Sequence, residues 1–216
     1  ILIENGIAKG AVMQDGKVIK SDIVISGAGV HITYKNLIPQ ETKSKIKHID
    51  EALNMPQSFG HLSLYIGLKH TAEELNLPKA NYWIYPNGTN HDKAIADFLE
   101  DYNNEFPVVY ISFPAAKNPK FLEKYPGRST IEIITVAKYE WFKEWENTKW
   151  KKRGDEYDVL KEKLAQRLLE HLCKYEPQLR GKIDLYELST PITTKHFCNY
   201  INGEIYGLDH PPERFT

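Results

Sequence analysis

The chain has 216 residues, enough for one sizeable core, or for one domain and part of another. Lys and Arg number 28 and Asp and Glu 29, so the formal charge of −1 gives no electrostatic reason to expect a nucleic-acid partner. Hydrophobic residues are 41% and charged residues 26%, as in an ordinary globular domain, and the longest uncharged apolar-rich run, Phe106–Ala116, is shorter than the roughly 20 residues of a membrane span.

The chain opens without a Met and inside a strand pattern, ILIENG, which predicts that a pairing strand lies upstream. Residues 1–26 read as a β-meander, with hairpin signals at Asn5-Gly6 and Asp15-Gly16, where positive φ is tolerated. Its third run, Asp22–Ser26, is continuously apolar, as in a strand covered on both faces. It ends at Gly27, Ala28 and Gly29, which open toward a helical stretch. A short helix is expected over 39–53. From Leu62 the chain alternates, with Leu62, Leu64, Ile66 and Leu68 on one side and His61, Ser63, Tyr65 and Gly67 on the other. Thr71 and Glu74 have capping-box spacing before a short helix. Strands are expected at 82–85, 108–113, 130–136 and 183–188, and helices around Ile95–Tyr102, 138–150 and 155–175. Strands and helices do not alternate as regular βαβ units, so the fold class is α+β.

Gly27-Ala28-Gly29 lacks the third glycine and distal acid of a dinucleotide fingerprint. By itself it is a strand-to-helix turn that needs small residues, or a turn packed against a bound ligand. Gly203 and Gly207 bracket Tyr206, and glycines let backbone approach a flat ring. That stretch reads equally as a plain turn. On a helix, Trp141, Phe142 and Trp145 share one arc with Lys138 and Lys149 nearby. Such an arc suits either a core or a peripheral membrane contact. His196 and Cys198 lie two apart with no orienting third group, which argues against a nucleophile pair. The remaining histidines have no metal-ligand spacing, so no metal is expected. Cys173 and Cys198 have no redox spacing, which predicts two free thiols in a reducing compartment, cytoplasmic or at a membrane surface.

The runs STIEIITVAKYEWFKEW (129–145), AAKNP (115–119) and PGRST (126–130), with YELSTPITTKHFCNYINGEIYGLDHPPERF (186–215), resemble the all-trans-retinol 13,14-reductase and carotenoid isomerase branch of the phytoene desaturase superfamily. The resemblance covers nearly the whole chain and is strongest from Ala115 to Arg214. It implies an internal portion of an FAD-dependent oxidoreductase, with NAD(P)H as a candidate electron donor. The substrate implied is an apolar retinoid or carotenoid, whose conjugated double bonds are saturated, desaturated or isomerised. The family's phosphate-binding glycine motif is not in this chain. The turn Ser26, Gly27, Ala28, Gly29 is similar to the family's V-V-S-N-A turn, with Gly27 in the place of Asn. With Gly203, Tyr206, Gly207 and His210 it would form the flavin side. Arg214 would serve there too, or be a surface charge; Arg128 would be structural or face the substrate. Leu64, Ile66, Tyr110, Ile133, Thr190 and Pro191 would wall the substrate tunnel, and no catalytic side chain is singled out. The organisation implied is 1–38 as part of an FAD-binding domain, 39–188 as a substrate-binding domain built on a mixed or antiparallel sheet, and 189–216 as a return toward the flavin. The rival readings are a flavin amine-oxidase-like enzyme on another apolar substrate and a non-catalytic lipid- or polyene-binding module.

Overall fold

A computed structural model describes residues 1–86, 88 and 90–215 and shows an α+β arrangement with two antiparallel sheets. Strands β1 (Leu2–Glu4), β2 (Ile7–Val12) and β3 (Val18–Lys20) pair in sequence order. Asn5 and Gly6 take φ of 52° and 77°, the pair of positive values a two-residue hairpin turn demands. The third apolar run departs from expectation. Residues 21–28 join neither sheet, and Ile23 and Ile25 are 76% and 89% exposed. Continuous apolar strands need cover on both faces, and no described residue covers this one.

The chain then turns through α1 (Val30–Ile32), which continues as one wider turn to Leu37, and through α2 (Gln40–Lys43) and α3 (Ile49–Asn54). The single helix expected over 39–53 is split because His48 adopts φ 62°, which a right-handed helix cannot contain. The expected capping box forms, with Thr71 N–H donating to Glu74 at 2.7 Å and Glu74 N–H to Thr71 Oγ1 at 3.1 Å. It closes a turn rather than a helix.

The larger sheet holds β4 (Gly60–Leu68), β5 (Tyr82–Ile84), β6 (Val109–Ser112), β7 (Ser129–Ala137) and β8 (Ile183–Ser189), in the order β5-β6-β7-β4-β8. Between them run α4 (His91–Glu100), α5 (Pro114–Lys117), α6 (Phe121–Lys124) and α7 (Asp155–Tyr175), and α8 (Pro191–Cys198) follows. Alternation decides the core. Leu62, Leu64, Ile66 and Leu68 of β4 meet Ile131 and Ile133 of β7 and Val109 and Ile111 of β6, all at most 2% exposed. Leu164, Leu168 and Leu172 of α7, four residues apart on one helical face, complete the cluster. Each such side chain is worth about 1.5–3 kcal/mol when fully buried. Asp155, Glu156 and Asp158 occupy the first turn of α7, where the helix dipole favours acids.

The helix expected over 138–150 is a short 3₁₀ segment, Tyr139–Trp145, and its aromatics turn inward. Phe142 is wholly buried, Trp141 meets Phe98 and Tyr102 edge-on at 5.5 Å each, and Trp145 lies 5.5 Å from Tyr157. Of the three rings expected at a membrane contact, Phe142 is wholly buried and cannot take part, while Trp141 and Trp145 are partly buried against the core. Among the described residues no helix is long and apolar enough to cross a membrane. Cys173 is buried, Cys198 is exposed, and both are unpaired.

Candidate functional site

The side of the large sheet away from the core carries His61, Ser63 and Tyr65 of β4, Glu132 and Ile134 of β7, Tyr110 of β6 and Trp83 of β5. Two cavities lie along it, and a third adjoins them at residues 205–206. The largest, about 810 Å³, has His61, Ser63, Tyr65 and Glu132 among its walls, with Thr193 and Phe197 of α8 and Arg153 and Lys161. The second, about 450 Å³, is mainly apolar and is walled by Phe59, Trp83, Val108, Tyr110, Val136 and Tyr206. The third, about 300 Å³, lies between Gly27–Gly29 and Tyr206–Gly207, with His31, Gln57 and Tyr200. His61 and Ile134 border the first two, Tyr206 the second and third, and Ile205 all three.

The segment that joins the cavities is held by backbone bonds. Ile205 N–H donates to Phe59 O at 2.8 Å, Ser58 N–H to Gly207 O at 2.8 Å, and Asp209 N–H to Pro56 O at 2.8 Å. Tyr206 N–H donates to Ser58 Oγ at 3.0 Å. Residues 204–209 thus form a ribbon against the lead-in to β4. The start of α8 packs beneath it. Thr190 and Thr193 make a reciprocal capping box, Pro191 takes the first turn, and Tyr157 Oη and Thr190 Oγ1 share a 2.9 Å hydrogen bond. Gly203 is required here. Its φ is 60°, and a Cβ would lie 1.9 Å from the Pro191 carbonyl oxygen.

Burial tunes the charges. It pushes His61 below the usual histidine value, and its Nδ1 is enclosed without a partner among the described residues. Burial raises the Glu132 carboxyl above the usual value. His31 is lowered by burial and by the Lys35 charge, with Glu204 opposing.

The structure brings part of the sequence-derived set together. Gly27, Ala28, Gly29, Tyr206 and Gly207 share the smallest cavity. Ser26 stands beside it, its Oγ 2.6 Å from Thr33 Oγ1, and Gly203 lies under α8. His210 is outside, exposed, with its ring 6.3 Å from Tyr206. Arg214 binds the Leu208 and Asp209 carbonyls at 2.8 and 3.0 Å. Arg128 is half exposed, 3.9 Å from Asp184. Of the residues expected to wall a tunnel, Tyr110 lines a cavity. Leu64, Ile66 and Ile133 are core residues on the opposite face, Thr190 is a wholly buried helix cap, and Pro191 packs against Gly60. His31, Gln57, Trp83, Glu132 and Ile205 were not singled out. For Glu132 the signal was present, since it alternates with the core residues Ile131 and Ile133.

No family profile matches the chain. Curated relatives do. The chain is 36% identical to the all-trans-retinol 13,14-reductase of Danio rerio, over 92% of this chain and 33% of that protein. It is 32% identical to that of Macaca fascicularis, over 87% of this chain and 31% of the relative. An inactive all-trans-retinol 13,14-reductase of Danio rerio is 31% identical over 81% of this chain and 29% of its own length. Phytoene desaturases match more distantly, that of Neurospora crassa at 26% over 56% of the chain. The chain is thus similar to proteins named as retinol reductases and, more distantly, as phytoene desaturases. It is a relative of the all-trans-retinol 13,14-reductases, spanning about a third of their length, as the motifs at 115–130 and 186–215 indicated.

Proposed function

We propose that the chain supplies the substrate-binding sheet of an FAD-dependent oxidoreductase that acts on the conjugated double bonds of an apolar polyene. One observation carries the reading: Ile205 and Tyr206 wall both the apolar cavity and the glycine-sided cavity. A polyene lying over Trp83 and Tyr110 would meet a flat group lodged beside Gly27–Gly29. The residues fit the ring portion of such a group. Small residues on one wall allow close backbone approach, and His31, Gln57 and Glu204 give the opposite side polar groups. At about 300 Å³ the cavity sits at the low end of ligand sites, so it takes a ring rather than a whole dinucleotide. FAD, when bound, supplies the hydride chemistry.

The chain's own residues bind, orient and keep water out. An uncharged hydrocarbon offers nothing to hydrogen-bond, so its alignment comes from the shape and aromatic faces of the Trp83 and Tyr110 cavity. Residues 1–38 would belong to the flavin-binding unit, 39–188 to the substrate unit, and 189–216 to the return that joins them. The uncovered Ile23 and Ile25 support that division, since they await cover from elsewhere. A second reading, a polyene-binding module without turnover, is favoured by the relative named inactive, which is similar over the same stretch.

Titration of the chain with all-trans-retinol, followed by tryptophan emission, tests the binding half. Saturable quenching is expected, with most of it lost in Trp83→Phe and affinity weakened in Tyr110→Ala. Unchanged quenching in both variants would remove the sheet face from the argument. A bleachable flavin spectrum in the product of the complete gene would separate the enzyme from the silent module.

A further inference from the structure

The wall of the largest cavity holds a buried cation that has only neutral partners. Arg153 lines this cleft and is 8% exposed. Its Nη1 donates to Trp145 O at 3.0 Å and to Thr148 Oγ1 at 3.3 Å, and its Nη2 to Ile192 O at 3.5 Å. No Asp or Glu among the described residues forms an ion pair with it. A guanidinium carries five N–H donors in a rigid fork. Nε–H and one Nη2–H are left over, and such a pair suits a carboxylate or a hydroxyl oxygen. Nε has no partner among the described residues and, unlike Nδ1 of His31 and of His61, keeps accessible surface. The bonds already made, with the Tyr157 ring 5.4 Å away, hold the fork in place, so little freedom is lost when it meets a guest. The acids of the cleft are otherwise engaged. Glu187 pairs with Lys161 at 2.6 Å, Glu204 accepts the Asn202 N–H at 2.8 Å, and Asp158 lies in the first turn of α7.

The cleft also continues into the apolar cavity, with His61 and Ile134 bordering both. Along β7, Val136 faces the apolar cavity and Glu132 the cleft, four residues or about 13 Å apart. One run along the sheet is thus apolar over Trp83 and Tyr110 and polar toward Arg153. We infer that Arg153 donates to an oxygen atom at one end of an elongated polyene, which places that end in the large cleft and the hydrocarbon end over Trp83 and Tyr110. The inference rests on the polyene reading above and adds to it which end is recognised and by which residue. Shape alone discriminates weakly between apolar guests, whereas a buried donor rejects the analogue that lacks its acceptor.

Three probes of one carbon skeleton test this: all-trans-retinol, all-trans-retinoic acid, and axerophthene, the hydrocarbon without the oxygen. Each is titrated into the 216-residue chain and followed by tryptophan emission. The native chain should bind at least one oxygenated probe about tenfold or more tighter than axerophthene, the usual yield of a hydrogen bond from a charged donor. Arg153→Met keeps the stem and removes the donors, and should bring that ratio close to unity. Arg153→Lys keeps a cation without the fork and should give an intermediate ratio. The ratio is the readout because a merely structural Arg153 would weaken all three probes alike. If Arg153→Met fails to fold, Arg153→Lys is read in its place. Whichever of the acid and the alcohol loses more affinity in the variant identifies the end group as a carboxylate or a hydroxyl. Equal native affinity for all three probes, or a preference that survives both substitutions unchanged, would overturn the role of Arg153 and leave the polyene reading standing. No saturable binding of any probe would overturn both.

Discussion

Gly203→Ala isolates a single backbone contact on which the ribbon depends, and Gly207→Ala is its natural control. Both glycines have positive φ, 60° and 72°. A non-glycine residue in that region costs about 1–2 kcal/mol, and this is the whole expected effect at Gly207, where a new Cβ meets nothing within 4 Å. At Gly203 the Cβ would stand 1.9 Å from the Pro191 carbonyl oxygen and 2.5 Å from its carbon. Those atoms are backbone at the first turn of a capped helix, so they cannot rotate away as a side-chain end would. Relief requires the 202–204 turn to lift from α8, taking the Gly60–Glu204 bridge with it. The total at Gly203 should reach about 4 kcal/mol or more, the range reserved for a named structural collision. For a chain of this length each kcal/mol moves the melting temperature by about 2–4 °C. Gly203→Ala should therefore melt about 8–16 °C below the native chain, and Gly207→Ala about 2–8 °C below it. Thermal melts followed by far-UV circular dichroism would show this. Equal melting points for the two variants would refute the claim that close approach to Pro191, rather than dihedral strain, makes Gly203 necessary.

Tyr82 Oη donates to Glu176 Oε1 at 2.5 Å, and Glu176 is 7% exposed, so Tyr82→Phe should lose about 1–3 kcal/mol in urea unfolding. The same bond pushes the Tyr82 phenol up to about 12. Its contribution is complete below the unfolded value near pH 10 and is lost as pH rises through about 12, so one tyrosine should ionise last in an alkaline absorbance titration. Glu132 works in the opposite sense from a paired acid. Burial raises its carboxyl, so the native state favours the protonated form, and that advantage is present below about pH 4.5 and disappears as pH rises. Glu132→Gln should therefore raise the melting temperature at pH 7, with the gain shrinking toward pH 4.5. His61 is depressed by burial, so its contribution persists above about pH 6.5 and fades as pH falls through the lowered value. His61→Gln should flatten the urea-midpoint profile on the acid side of pH 6.5.

The strands and the long helix were legible because their periodicity is local. Residues 155–175 and the alternation from Leu62 to Leu68 could be read from side-chain type alone. What that alternation could not tell was which face holds a guest. Leu64, Ile66 and Ile133 were natural choices for an apolar wall, but apolarity marks removal from water, and a core removes side chains from water as well as a ligand does. The cavity face has Trp83, Tyr110 and Ile134 interleaved with polar residues, a mixture that reads as ordinary surface. The arc of Trp141, Phe142 and Trp145 carried the same ambiguity between core and interface, and here the core prevailed. Gly27–Gly29, Tyr206 and Gly207, grouped through family resemblance, line one cavity. His31 was beyond reach of the sequence. Its position depends on Gln57, 26 residues away, and on a ribbon arriving from the far end of the chain. Asp22–Ser26 misled because a strand-like sequence forms a strand only where a neighbour offers hydrogen bonds.

The alternation along β7 divides labour between neighbouring residues. Ile131 and Ile133 are almost entirely occupied with folding, while Glu132 and Ile134, one step along, face the cavities. The exception is Thr135, 2% exposed and on the wall of the apolar cavity, which serves both ends. Outward residues can therefore drift under mutation with little risk to the scaffold, and inward ones can be held constant without freezing what is recognised. A lineage built on such a sheet can explore new guests by substitutions at alternate positions, each nearly neutral for stability, without first acquiring a more robust fold.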